Sequence, residues 1–287
     1  MDAAEADQLH DGAVRGDSRG HAVSGLDDLL APARLAAFVL VLARVVGLAL
    51  IAPILGSRMV LPRLRVALAV FLAVAMVPAT AKASAAPTAD LVGSPVALLL
   101  ALLAETAIGL LLGLVGQLVF GAVQLAGELA GTQMGFGMAS LFDPQTADRS
   151  VVLAQWQSTL ALLLFLTVDG HHILVQALAE SFRRVPPGAV GIASAGFGMT
   201  VSFAGGLFVL ALKIAAPVLI LVLLTNAGLG ALGKLIPQLN VMVVGFPINV
   251  AAGFFILIAA QPFTVRLLEG AFAELGHRMA AVIDVLV

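Results

Sequence analysis

Three charged side chains stand inside long apolar runs of this sequence: Arg44, Glu105 and Lys213. Charge in a hydrocarbon setting is expensive, so such groups usually face protein or a water-filled path. They could carry protons or ions. A relay needs a chain of several groups, and three isolated ones do not make a chain. They read instead as ion-pair or hydrogen-bond anchors, with Lys213, Arg44 or a neighbouring subunit available to Glu105. Asp169, His171 and His172 could suggest a metal or acid–base chemistry. Adjacent helical residues point about 100° apart, which rarely lets both histidines reach one metal. They read as a polar helix end at a membrane edge. No nucleophile elbow, HExxH, P-loop or dinucleotide fingerprint is present. No enzyme, cofactor or metal is expected.

A second kind of chemistry is mechanical. In GELAGTQMGFGMASLFDP, glycines recur every four residues at Gly127, Gly131 and Gly135, as they do upstream at Gly109 and Gly113. Four residues is about one helical turn, so each set forms a face that lets another backbone come close. Met134–Phe142 then mixes glycine with Met134, Phe136, Met138 and Phe142. An apolar yet irregular stretch is unsuited to water, and its unpaired backbone is unsuited to lipid. It should rest on protein or line a pore.

The surrounding elements are those of a membrane protein. The 287 residues are 61% hydrophobic and 11% charged, against about 25% charged in soluble domains. Mean hydropathy is +1.08. The net charge of −2 and the scattered basic residues give no footing for nucleic acid. There are no cysteines, hence no disulfide and no thiolate metal site.

The fold class expected is all-α, a polytopic membrane protein of helical hairpins with about six apolar spans. Residues 1–30 read as a disordered polar tail without a signal-peptide core, and residues 31–287 as one membrane domain. The spans are Leu35–Leu55, a short Val66–Ala79, an over-long Val96–Val123, Val151–Val168, Val201–Leu224 and Val241–Ala260. The last carries an expected break at Gly245-Phe246-Pro247. Thr225–Gln238 is helical in pattern, and Phe263–Val287 is amphipathic, with Leu267, Leu268, Phe272, Leu275, Met279, Val282 and Ile283 in register. Arg58, Arg63 and Arg65 place the first loop in the cytoplasm. Counting crossings from there puts Arg183 and Arg184 on the opposite side, which argues against a plain bundle.

These pieces, in order, resemble the FliR family of type III secretion export-gate proteins. The most specific are GELAGTQMGFGMASLFDP and IPQLNVMVVGFPINV, and the likeness runs from Leu35 to Leu268. It implies a non-enzymatic subunit of a spiral export gate in the bacterial inner membrane, at the flagellar basal body. The implied partners are FliP-like and FliQ-like subunits, an FlhB-like protein and exported unfolded flagellar proteins. Close contacts with those neighbours are expected at the glycine faces. The resemblance also implies that Gly135, Phe136, Gly137, Met138, Phe142, Asp143 and Pro144, with Met134 at their base, form a plug in the pore. An injectisome gate is the nearest alternative. A secondary transporter would need an internal repeat, and none is evident.

Overall fold

The computed structural model describes residues 32–53, 56, 61–80, 93–136, 152–189, 194–236 and 240–286. The expected tail, residues 1–30, lies outside them. Among the described residues there are eight helices and no strand: α1 (Pro32–Ile51), α2 (Pro62–Thr80), α3 (Pro95–Gln133), α4 (Val152–Thr167), α5 (Gly170–Arg184), α6 (Ser194–Leu235), α7 (Val241–Ala259) and α8 (Gln261–Leu286). The chain is an all-α polytopic membrane protein.

Local chemistry sets many of the ends. Pro32, Pro62 and Pro95 each occupy the first helical position, where a missing N–H costs nothing. Ser94 and Asn240 accept from Ala97 and Val243 as N-caps. Asp169 takes a left-handed turn, φ 55°, and α4 and α5 meet there at 67°. Gly170 permits that corner, because a Cβ on it would run into the Phe165 ring.

α3 is the axis of the molecule. Its 39 residues make a rod of roughly 58 Å, and α1, α4, α5, α6 and α8 all pack on it. The core around it includes a cluster of Phe120, Phe165 and Phe272, with ring centroids 5.2–5.6 Å apart. Of the stripe expected along the C-terminal helix, Leu268, Phe272, Leu275, Met279, Val282 and Ile283 are buried there, and Leu267 is half-buried.

Several expected boundaries are corrected. The glycine-rich stretch after Val123 stays helical to Gln133, so the third span is longer than its apolar run. The fifth span and Thr225–Leu235 are one helix of 42 residues that passes through Pro217. The break at Gly245-Phe246-Pro247 does not occur, because α7 runs through Pro247. A proline deletes one helical hydrogen bond but holds φ at a helical value, and in an apolar medium no water competes for the remaining bonds. Among the described residues, three helices (α1, α3 and α6) are long and apolar enough to cross a membrane alone, or up to five spans arise if the bent pairs α4–α5 and α7–α8 each count as one.

Candidate functional site

The first candidate site is built where α1 meets α3. α3 presents Glu105, Gly109 and Gly113 on one face. A Cβ on Gly109 would strike the backbone of Arg44 and Leu48, one on Gly113 would lie 2.9 Å from the Leu48 oxygen, and one on Gly47 would lie 2.5 Å from the Thr106 oxygen. The two backbones touch, and this seats Arg44 directly against Glu105. Arg44 Nε donates to Glu105 Oε2 at 2.6 Å, with both side chains buried. Nη1 donates to Ser181 Oγ at 3.1 Å and Nη2 to the Val185 carbonyl at 3.0 Å. The guanidinium lies 4.4 Å from the centre of the Phe182 ring. The second carboxylate oxygen accepts from Gly188 N at 3.0 Å.

Each group of the pair is thus neutralised and bonded, as a buried charge requires. What this arrangement can do chemically is hold together α1, α3, α5 and the turn after α5. Of the three partners considered for Glu105, Arg44 is the one present. Ser181, Phe182, Val185 and Gly188 were missed from sequence. A faint signal existed in Gly188, which follows two prolines and takes φ 87°.

The second site is the end of α3. Gly127 lies against Ala154 and Gln157 of α4, and Gly131 is buried. The close contacts expected with neighbouring subunits at Gly109, Gly113 and Gly127 are made inside this chain. The helix then stops with a Schellman pattern: Phe136 N donates to Gly131 O at 3.0 Å and Gly135 N to Thr132 O at 3.1 Å. Gly135 supplies the left-handed turn, φ 96°. Met134 is fully buried. It fills a notch at Gly253 of α7, where a Cβ would lie 2.5–2.7 Å from its side chain. Phe136 is half exposed and meets Phe254 edge-on, at 6.0 Å. The base of the expected plug is therefore fixed to α7. Gly137, Met138, Phe142, Asp143 and Pro144 lie outside the described residues.

Asp169, His171 and His172 bring one ligand atom each to within 4.8 Å of one another, closer than adjacency on a straight helix suggested. The His171 and His172 rings lie 4.3 Å apart, centre to centre. The group sits on the first turn of α5, where the positive end of the helix dipole disfavours a cation. His172 Nδ1 instead lies 3.4 Å from Asp169 Oδ1. Lys213 stands apart from Glu105, exposed on α6.

The model of bacterial export proteins, family 1, matches residues 35–275. The chain is 39% identical over 166 residues to flagellar biosynthetic protein FliR of Pectobacterium carotovorum subsp. carotovorum, covering 58% of this chain and 63% of that protein. FliR of Escherichia coli (strain K12) is 37% identical over 166 residues, with the same coverage. FliR of Bacillus subtilis (strain 168) is 35% identical over 159 residues, covering 53% and 60%. These alignments span about three-fifths of the relatives' length. With the family model matched across most of its length, this chain belongs to the bacterial export proteins, family 1.

Proposed function

We propose that this chain is a non-enzymatic structural subunit of the flagellar type III export gate, in the inner membrane at the basal body. It packs with FliP-like and FliQ-like subunits, meets an FlhB-like protein, and helps form and plug the path of unfolded flagellar proteins. The observation that carries this reading is the family match over residues 35–275, with relatives named FliR. Two features support the finer parts. Arg44 and Glu105 are spent on each other, which suits a structural role. The Met134–Phe136 turn directs the chain out of α3 just where an apolar, glycine-rich segment begins.

The test is an in-frame deletion of the gene, assayed on soft agar and by electron microscopy for filaments, with complementation. The expected result is a non-motile strain with no filament and no secreted flagellin. Normal filaments in the deletion strain would overturn the proposal. Loss of injectisome secretion with normal motility would assign the chain to that apparatus instead.

A further inference from the structure

The two most specific stretches of the sequence meet at the end of α3. GELAGTQMGFGMASLFDP supplies Met134, Gly135 and Phe136. IPQLNVMVVGFPINV supplies Phe246, and Gly253 and Phe254 follow it closely on α7. Phe246 and Gly253 stand seven positions apart, two turns along one face of α7. Three interlocks join α7 to the turn. The Met134 side chain occupies the notch at Gly253. The Phe246 ring covers Gly135, where a Cβ would lie 2.9 Å from it. Phe254 meets Phe136 edge-on. Glycine is unfavourable inside a helix, and the room left by the missing side chain of Gly253 is taken by Met134. Met134 packs there with Leu153, Val222 and Leu257, in a small cluster separate from the main core. All of these contacts are apolar. Among the described residues no hydrogen bond or ion pair runs from the turn to α7, and Gly135 N and Phe136 N are bonded back into α3. The Phe136, Phe246 and Phe254 rings stay partly exposed. The joint thus differs in kind from the Arg44–Glu105 anchor, where parting would strand buried charge. Soft apolar side chains can part and repack without leaving a polar group unsatisfied.

We propose that α7 is the latch of the shut gate. Phe246, Gly253 and Phe254 hold the Met134–Phe136 turn against α7 while no chain is exported, and export requires the turn to leave them. They are positioning residues, acting on the path only through the turn. The proposal rests on the export-gate reading above and names its regulation. The competing case is a permanent packing contact. A permanent contact loses nothing when it is tied covalently, whereas a latch loses its function.

The test uses the complete chain in its native host. The chain has no cysteine, so Met134→Cys with Gly253→Cys creates the only disulfide possible within it. The space vacated by the methionine admits the second Cβ. Cells are oxidised, and crosslinking is scored on non-reducing gels. Secreted flagellin, recovery of assembled gate and entry of a normally excluded solute are measured together. The expected result is an assembled, tight gate that loses flagellin export on oxidation and regains it on reduction. Met134→Cys alone should export under oxidation. Equal export from the crosslinked and the reduced gate would overturn the proposal, and so would failure of the pair to crosslink in assembled gates. Phe246→Ala opens the latch from the other direction. It should let the excluded solute enter with gate recovery unchanged, and Phe246→Leu should restore tightness. If the cysteine pair lowers gate recovery, Phe246→Ala decides. Phe246→Ala gates that stay tight, or that fail to assemble, would overturn the latch. Normal filaments in the gene-deletion strain would instead overturn the flagellar reading. The same lock and leak, read on injectisome secretion, would then leave the latch standing.

Discussion

Arg44 and Glu105 form a buried ion pair across the α1–α3 contact, Nε to Oε2 at 2.6 Å, although 61 positions separate them in the chain. The pair is also the hydrogen-bond partner of Val185 O and Gly188 N. Removing one member strands the other. Glu105→Ala should destabilise the chain by about 3–5 kcal/mol, the usual cost of an orphaned buried charge. Glu105→Gln should cost less, because it can still accept from Gly188 N. Apolar replacement of both residues often costs nothing elsewhere. Here it should still cost about 1–3 kcal/mol for each backbone group left unpaired. Chain abundance and thermal aggregation in detergent measure these differences, and equal behaviour of the Ala and Gln variants would contradict the clamp.

Gly109 and Gly228 should respond oppositely to the same change. A Cβ on Gly109 meets the backbone of Arg44 and Leu48, which cannot rotate aside. Gly109→Ala should therefore separate α1 from α3, at a cost of about 1–3 kcal/mol. A Cβ on Gly228 meets nothing within 4 Å inside this chain. Gly228→Ala should be neutral or stabilise the isolated chain by up to about 1 kcal/mol, the helix preference of Ala over Gly. Melting curves of the chain in detergent decide this, and a stability loss at Gly228 matching that at Gly109 would refute the contact assignment.

Met134 and Gly253 should behave as a coupled pair. Gly253→Ala pushes the Met134 side chain out of its notch. Under the plug hypothesis this loosens the seal and leaves the gate assembled. Met134→Ala in the same chain should partly restore tightness, a coupling that distant sites do not show. Deletion of Gly137–Phe142 should leak more than Phe136→Ala, since several soft side chains share a seal. The readout is growth sensitivity to a normally excluded solute, alongside recovery of the complex. A tight gate after the deletion, with the complex intact, would sink the plug reading.

Asp169 holds φ 55°, a conformation that Asp tolerates and β-branched residues resist. Asp169→Gly should leave the α4–α5 corner intact. Asp169→Val should cost about 1–2 kcal/mol from backbone strain. Chelation of divalent metal should change neither variant. Thermal stability with and without chelator checks both statements.

Much of the architecture was legible from periodicity. The stripe along α8 and the buried placement of Arg44 and Glu105 follow from spacing and hydropathy, because a helix has one repeat and charge has few places to hide. The partner of a glycine face was not legible. Gly109 and Gly113 announce a close neighbour, but naming α1 requires knowing that Gly47 lies opposite, a relation between remote segments. Ends of helices misled in both directions. Pro247 looked like a stop and is not, whereas Gly135 looked like part of a packing face and is the stop. The difference lies in φ, which proline holds within the helical range and glycine alone releases cheaply to the left-handed one. The Ser181, Val185 and Gly188 contacts left at most a faint trace in the sequence because two of the three use backbone atoms, which every residue possesses.

The unbroken run of α3 makes it a lever. Its fulcrum is the Arg44–Glu105 anchor, which ties it to three other segments. The tip is Met134, roughly 44 Å further along the same helix. A rotation of about 5° at the anchor, too small to break a hydrogen bond, sweeps the tip through roughly 4 Å over that length. Ala154 rests against Gly127 near the tip, so α4 has to travel with it. A displacement of that size is on the scale of a methionine side chain in a notch.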